Sequence, residues 1–242
     1  MTRRWRAFHP GLELVSGDRV TLSKDESHHI QRVLRLTIGD PVSVFDGEGG
    51  EWAATIVDSG SAVTIETGDR VETAVESPLA LSLFQGLCRN DKMDWVVQKL
   101  TEIGALRICP LRCRHGTKFP PDARRLERWR RVAIEACKQS GRRRVPAIET
   151  AEWLPEATPG VPALLLDPAT AAEPLASQLE LRGVEAVWIA AGPESGFTPE
   201  EVERAVAGGW RRVSLGPRIL RTESAGLAAA TVALHLFGDL GR

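Results

Sequence analysis

Two glycine-bearing stretches hold the residue types best suited to capture a ligand. The first is Gly192-Pro193-Glu194-Ser195-Gly196, and the second runs Leu215-Gly216-Pro217-Arg218-Ile219-Leu220-Arg221-Thr222-Glu223. Each follows a segment that reads as a strand and precedes one that reads as a helix. Open α/β sheets bind ligands in the crevice beyond the carboxyl ends of their strands. Glycine there admits a ligand to the backbone, and the next helix supplies free N–H groups. Taken singly, each stretch also reads as an ordinary turn with Pro193 or Pro217 in it. No G-x-x-x-x-G-K-[ST] phosphate loop and no G-x-G-x-x-G dinucleotide fingerprint is present.

Other chemistry-bearing groups are weaker. Cys109-x3-Cys113 with His115 is the only metal-like spacing, and no second ligand pair accompanies it, so no metal is expected. Adjacent His28 and His29 point in different directions on a helix, which favours a structural or RNA-facing role. The chain has no tyrosine, so no phenol can act as nucleophile or proton shuttle. The four cysteines lack the paired spacing of secreted scaffolds and read as reduced thiols of a cytoplasmic protein.

The elements that must position the two glycine stretches fall into two groups. Residues 1–72 read as a small β-barrel, with strands at Arg19–Leu22, Pro41–Phe45, Glu51–Val57 and Ala62–Thr67 and one helix over Asp25–Arg35. Gly47–Gly50 reads as a hairpin loop. Residues 73–78 read as a linker. From residue 79 to 242, strands alternate with helices, the pattern of an α/β fold. Strands are expected at Leu79–Gln85, Leu106–Pro110, Ala163–Leu166, Ala186–Ala191 and Arg211–Leu215. Helices are expected at Asp91–Ile103, Asp122–Ser140, Ala172–Leu181, Pro199–Ala207 and Glu223–Phe237, with a capping box at Thr198-Pro-Glu-Glu201.

A total of 31 Lys+Arg against 32 Asp+Glu gives a net charge of −1, which on its face speaks against a polyanion partner. The average conceals segregation. Residues 107–144 carry thirteen basic and three acidic side chains, whereas residues 145–209 carry two basic and eleven acidic. Such asymmetry points to an anionic partner at one face. No run of about eighteen apolar residues is present, so no membrane-spanning helix is expected, and no apolar segment follows the basic N-terminus, so no secretory leader is expected.

Several ordered motifs together resemble a known family. Gly192-Pro-Glu-x-Gly196 with Leu215-Gly-x-Arg-Ile-Leu-Arg-Thr-Glu223 is similar to the small-subunit rRNA uridine-N3 methyltransferases (RsmE-type) of the SPOUT class. His28-His-x-x-x-Val-Leu-Arg-x-x-x-Gly-Asp40 and Phe45-Asp-Gly47 resemble that family's N-terminal PUA-like barrel. Asp91-Lys-Met-Asp-Trp-x-x-Gln-Lys-x-Thr-Glu-x-Gly104 and Glu135-Ala-x-Lys-Gln-Ser-Gly-Arg142 resemble its first catalytic-domain helices. Two departures are visible: Ser195 stands where the family usually has glycine, and Cys113-Arg114-His115 replaces a Ser-Glu-Arg-like stretch.

The resemblance implies a PUA-like barrel followed by a SPOUT α/β domain with a deep trefoil knot, acting as a homodimer in the cytoplasm. It implies S-adenosylmethionine as cofactor, held around Leu166, Gly192, Pro193, Glu194, Gly196, Leu215, Gly216, Ile219, Leu220 and Thr222. It implies methylation of a uridine N3 in 16S rRNA of the small ribosomal subunit. Removing the N3 proton would then fall to Glu194 or Glu223, with the Arg221 guanidinium stabilising charge on the uracil carbonyls. Arg6, Arg32, Arg35, Arg114, Lys118, Arg128, Arg142 and Arg143 are the expected RNA contacts. Rival readings are a non-catalytic RNA-binding or assembly factor on the same fold and a SPOUT enzyme acting on another RNA.

Overall fold

The computed structural model describes every residue except 1–4, 12–13, 117–120, 169–171, 179–182 and 242. The chain forms two compact units, one of residues 1–76 with 137–145 and one of residues 77–136 with 146–242.

The first unit is built on a five-stranded sheet: β1 (Trp5–Phe8), β2 (Arg19–Thr21), β3 (Pro41–Phe45), β4 (Glu51–Ser59) and β5 (Val63–Arg70), in the order β1-β3-β4-β5-β2. Strand β1 is additional to the four strands expected from the sequence; it pairs parallel with β3, while the other pairs are antiparallel. Along β5, Val63, Ile65 and Thr67 point inward and alternate with less buried neighbours, the period of a half-buried strand. Val42, Val44, Ile56 and Ile30 complete that core. The Gly47–Gly50 stretch is indeed the β3–β4 hairpin loop, where Asp46 Oδ1 accepts the backbone N–H groups of Glu48, Gly49 and Gly50.

The helix expected over Asp25–Arg35 has two parts. A single turn and a half, α1 (Lys24–His28), is capped by the Ser23 hydroxyl accepting from Glu26 N–H, and a wider π-helical segment follows over His29–Leu34. It ends at Arg35, whose φ of 57° is left-handed although the residue is not glycine.

The second unit carries a seven-stranded, wholly parallel sheet. Its strands are β6 (Ala80–Gly86), β7 (Arg107–Leu111), β8 (Ala147–Ile148), β9 (Ala163–Leu166), β10 (Glu173–Pro174), β11 (Ala186–Ala191) and β12 (Arg211–Ser214), in the order β10-β12-β9-β11-β6-β7-β8. Central strands β6, β9 and β11 are nearly continuous apolar runs, as a sheet covered on both faces requires. Helices α2 (Asn90–Ile103), α3 (Ala123–Ser140), α4 (Pro199–Ala207) and α5 (Thr222–Phe237) complete the chain. Gly104, at φ 110°, ends α2, and α4 has the expected capping box between Thr198 and Glu201. In α3, Trp129, Ala133, Ala136 and Cys137 are the buried stripe.

The helix expected over Ala172–Leu181 is not formed in the described part of that range. Glu173–Pro174 instead pairs as an edge strand with Val213–Ser214, followed by one 3₁₀ turn at Leu175–Ser177. Proline lacks the N–H a helix interior needs and is tolerated at a sheet edge, so edge pairing wins. The remainder, 179–181, lies outside the described residues.

Candidate active site

Parallel pairing of β9, β11 and β12 brings their carboxyl ends, Leu166, Ala191 and Ser214, to one edge of the sheet. The two glycine stretches leave from that edge and enclose a cavity of about 380 Å³. Leu166, Gly192, Pro193, Glu194, Gly196, Leu215, Gly216, Ile219, Leu220 and Thr222 all line it, joined by Asp167, Phe197 and Arg218. A volume of that size lies within the range of roughly 300–1,000 Å³ usual for small-molecule sites.

Local chemistry explains why the first stretch holds its shape. Gly196 N–H donates to Pro193 O at 2.9 Å, closing a turn that Gly196 completes at φ 73°. Gly86, at the end of β6, lies directly beneath it: a Cβ there would sit 2.4 Å from Pro193 N and 2.6 Å from Gly192 C. Ser195 is exposed and is not in the left-handed region, so it replaces the family glycine without a buried clash. In the second stretch, Gly216 has φ 101° and nothing within 4 Å of where a Cβ would lie.

Thr222 couples the two stretches. Its hydroxyl donates to Gly192 O and accepts from Gln85 Nε2 at 2.8 Å. Gln85 is wholly buried, and α5 approaches it so closely that a Cβ on Gly226 would lie 2.5 Å from Gln85 Oε1. The available signal for this residue is a long amide near the end of a mostly apolar strand.

One of the three expected catalytic side chains lines the cavity. Glu194 lines the cavity, whereas Arg221 and Glu223 are not among its lining residues. Arg221 is exposed and caps α5 through its carbonyl, which accepts from Ser224 and Ala225 N–H. Glu223 Oε2 lies 3.1 Å from Lys92 Nζ, and Glu194 Oε1 lies 3.5 Å from the same ammonium. Sequence reasoning missed Lys92, which sits in the first turn of α2 within the Asp91-Lys-Met-Asp94 motif. Burial alone would raise the Glu223 carboxyl, but its own backbone N–H, Lys92 and Arg221 together hold it below the usual carboxylate range. Pairing with Glu223 in turn holds the Lys92 ammonium above its usual value. Beside them, burial first and then the Glu194 charge push the Cys88 thiol up to about 12.

The expected RNA contacts divide. Arg32 and Arg35 are exposed on the first unit; Arg114 and Arg128 are exposed on the second, where Arg128 pairs with Asp94. Lys118 lies outside the described residues. Arg6, Arg142 and Arg143 require correction, because their guanidinium groups are committed inside the first unit. Arg6 Nε and Arg143 Nε donate to Glu51 at 2.8 and 2.9 Å, and Arg142 donates to Glu76 at 2.7 Å. Arg142 and Arg143 are buried, and all three guanidinium groups are engaged by carboxylates of the same unit. Cys109 and Cys113 are also buried, with thiols pushed up to about 12 chiefly by burial.

These features define a two-unit α/β protein with a ligand site at the carboxyl edge of a parallel sheet. Residues 75–234 match the family model described as an RNA methyltransferase domain, and residues 22–67 match that of the RNA methyltransferase PUA domain. The chain is 36% identical over 223 residues to ribosomal RNA small subunit methyltransferase E of Synechocystis, covering 89% of this chain and 71% of that one. It is 30% identical over 226 residues to the Buchnera aphidicola (Acyrthosiphon pisum) protein of the same name, covering 90% and 88%. The crystal structure of ribosomal RNA small subunit methyltransferase E from Neisseria gonorrhoeae, bound to S-adenosyl methionine, superposes with TM-score 0.89 at 31% identity, covering 98% and 99%. The chain therefore belongs to the ribosomal RNA small subunit methyltransferase E family.

Proposed function

We propose that this protein transfers a methyl group from S-adenosylmethionine to N3 of a uridine in 16S rRNA of the small ribosomal subunit, as a cytoplasmic homodimer. The observation that carries the reading is the cavity between the two glycine stretches in a chain of this family. The cavity fits the cofactor's chemistry. Leu215, Leu220 and Val213 offer an apolar wall for a nucleoside base, and Gly216 leaves the space of a side chain open beside the backbone. Glu194 supplies a carboxylate near the positive charge of a sulfonium.

When bound, the cofactor supplies a methyl group already activated by its sulfonium. The protein orients the reactants, since a well-aligned displacement needs little further help. Neutral imide nitrogen is a poor nucleophile, so a carboxylate accepts the N3 proton, with Glu194 and Glu223 as the groups in reach of this task. Arg221, exposed beside the cavity mouth, stabilises the negative charge that develops on the uracil carbonyls. The exposed Arg32, Arg35, Arg114 and Arg128 engage RNA phosphates, and residues 1–72 act as the RNA-docking domain ahead of the methyltransferase domain at 79–242. Among the described residues, no helix is long and apolar enough to cross a membrane.

Calorimetric titration with S-adenosylmethionine tests the reading at its first step. A methyltransferase binds the cofactor without RNA present, whereas an assembly factor that had lost activity would bind small-subunit RNA and show no cofactor heat.

A further inference from the structure

Three charged side chains from three separate segments converge beside the cavity. Lys92 comes from the first turn of α2, Glu194 from the first glycine stretch and Glu223 from the start of α5. The two carboxylates share one ammonium but differ in setting. Glu223 is the nearer at 3.1 Å, is 15% exposed and does not line the cavity; Glu194 is at 3.5 Å, is 44% exposed and does line it.

Building on the methyl-transfer reading above, we propose that Lys92 is a positioning residue that pins Glu223 as a fixed anion and leaves Glu194 as the carboxylate that takes the N3 proton. Charge attraction falls with distance and with solvent access, so Lys92 acts mainly on the closer, more buried partner. The groups facing Glu223 reinforce this. Lys92 approaches from α2, Arg221 from the preceding loop, the helix N-terminus lies below it, and the Cys88 thiol, pushed up to about 12, carries no opposing charge. A carboxylate stabilised in this way is a weak base. Glu194 has the access that proton transfer needs: a cavity wall on one side and solvent on the other.

In the step assigned here, the N3–H bond breaks, its electron pair stays on nitrogen and the proton goes to a Glu194 carboxylate oxygen. N3 forms its bond to the methyl carbon as the carbon–sulfur bond breaks and its pair passes to sulfur. Glu194 then returns the proton to water. Lys92 takes no proton; it keeps Glu223 ionised and the first glycine stretch seated against the start of α5.

The test compares Glu194→Gln, Glu223→Gln, Lys92→Met and Lys92→Arg in the full-length protein. It reads cofactor Kd by calorimetry, single-turnover methyl transfer and the carboxyl NMR titration of Glu223 without cofactor. Glu194→Gln should slow methyl transfer by about 100-fold or more, the scale of general-base catalysis, with cofactor Kd changed by less than about threefold. Glu223→Gln should slow it by less than about tenfold, the scale of one lost, partly exposed ion pair with Lys92. Lys92→Met should raise the Glu223 titration midpoint, and Lys92→Arg should restore it. Equal losses for the two glutamine variants, full activity in Glu194→Gln, or an unmoved Glu223 midpoint in Lys92→Met would overturn the proposal. Wild-type protein that bound no cofactor, or that methylated no small-subunit rRNA, would instead overturn the reading of function on which it rests.

Discussion

Gln85 Nε2 donates to Thr222 Oγ1 at 2.8 Å, joining two residues 137 positions apart in the chain. Because the Thr222 hydroxyl donates its own hydrogen bond to Gly192 O, one buried amide holds both glycine stretches in register. The site is thus assembled by a buried polar tie at the end of β6. In such a place an unmade hydrogen bond is costly.

Replacing Gln85 with Leu removes the donor and leaves the Thr222 hydroxyl with one partner. We expect a stability loss of about 1–3 kcal/mol, the penalty for a disrupted buried hydrogen bond, together with weaker cofactor binding. Denaturant unfolding and calorimetry measure the two effects. Unchanged cofactor affinity would show that the tie does not shape the cavity.

Gly86→Ala should be worse than Gly216→Ala for folding. At Gly86 the added methyl meets the backbone of Gly192 and Pro193, neither of which can rotate away. At Gly216 the methyl enters open space, and the cost is left-handed strain of about 1–2 kcal/mol. That methyl points into the room beside the backbone, so Gly216→Ala should remain folded yet bind cofactor poorly. Thermal melts and titration of both variants separate the outcomes.

Much of this site was legible because it is local. The strands Ala163–Leu166 and Ala186–Ala191 and the Thr198 capping box are properties of a few adjacent residues, and they form where their patterns place them. Lys92 and Gln85 were missed because their partners lie about a hundred positions or more away. The same distance misled the reading of Arg6, Arg142 and Arg143. A dense basic stretch says nothing of Glu51 and Glu76, which pair with these three arginines from elsewhere in the chain. Pro174 shows the opposite failure, a helical pattern overridden by pairing with β12.

The buried arginines and the exposed ones should therefore part company under mutation. Arg143→Ala removes one of the donors to the Glu51 carboxylate, which keeps Arg6 and Ser43, and should cost about 1.5–3 kcal/mol, the scale of one lost charged hydrogen bond. Arg32→Glu and Arg35→Glu should leave stability within about 0.5 kcal/mol and weaken RNA binding in a salt-dependent manner. Denaturant unfolding alongside RNA titration at two salt concentrations checks both halves.

Glu51 sets an acid limit on the first unit. Burial would raise its carboxyl, but Arg6, Ser43 and Arg143 together hold it below its ordinary value of 4.5. A carboxyl depressed in the folded state contributes stability above its unfolded value, and that contribution is lost as the pH falls through the folded one. Glu51→Gln should be less stable than wild type at neutral pH and show a flatter loss of stability in acid. Urea midpoints taken from neutral pH downward give the comparison.

Methylation of uridine N3 in small-subunit rRNA leaves a readable mark on the product. Reverse transcription across that rRNA, from cells with and without the gene, tests it most directly, because an N3-methyl group blocks the Watson–Crick edge. A stop at one uridine should disappear in the deletion and return with the wild-type gene. A stop pattern identical in both strains would contradict N3 methylation by this protein.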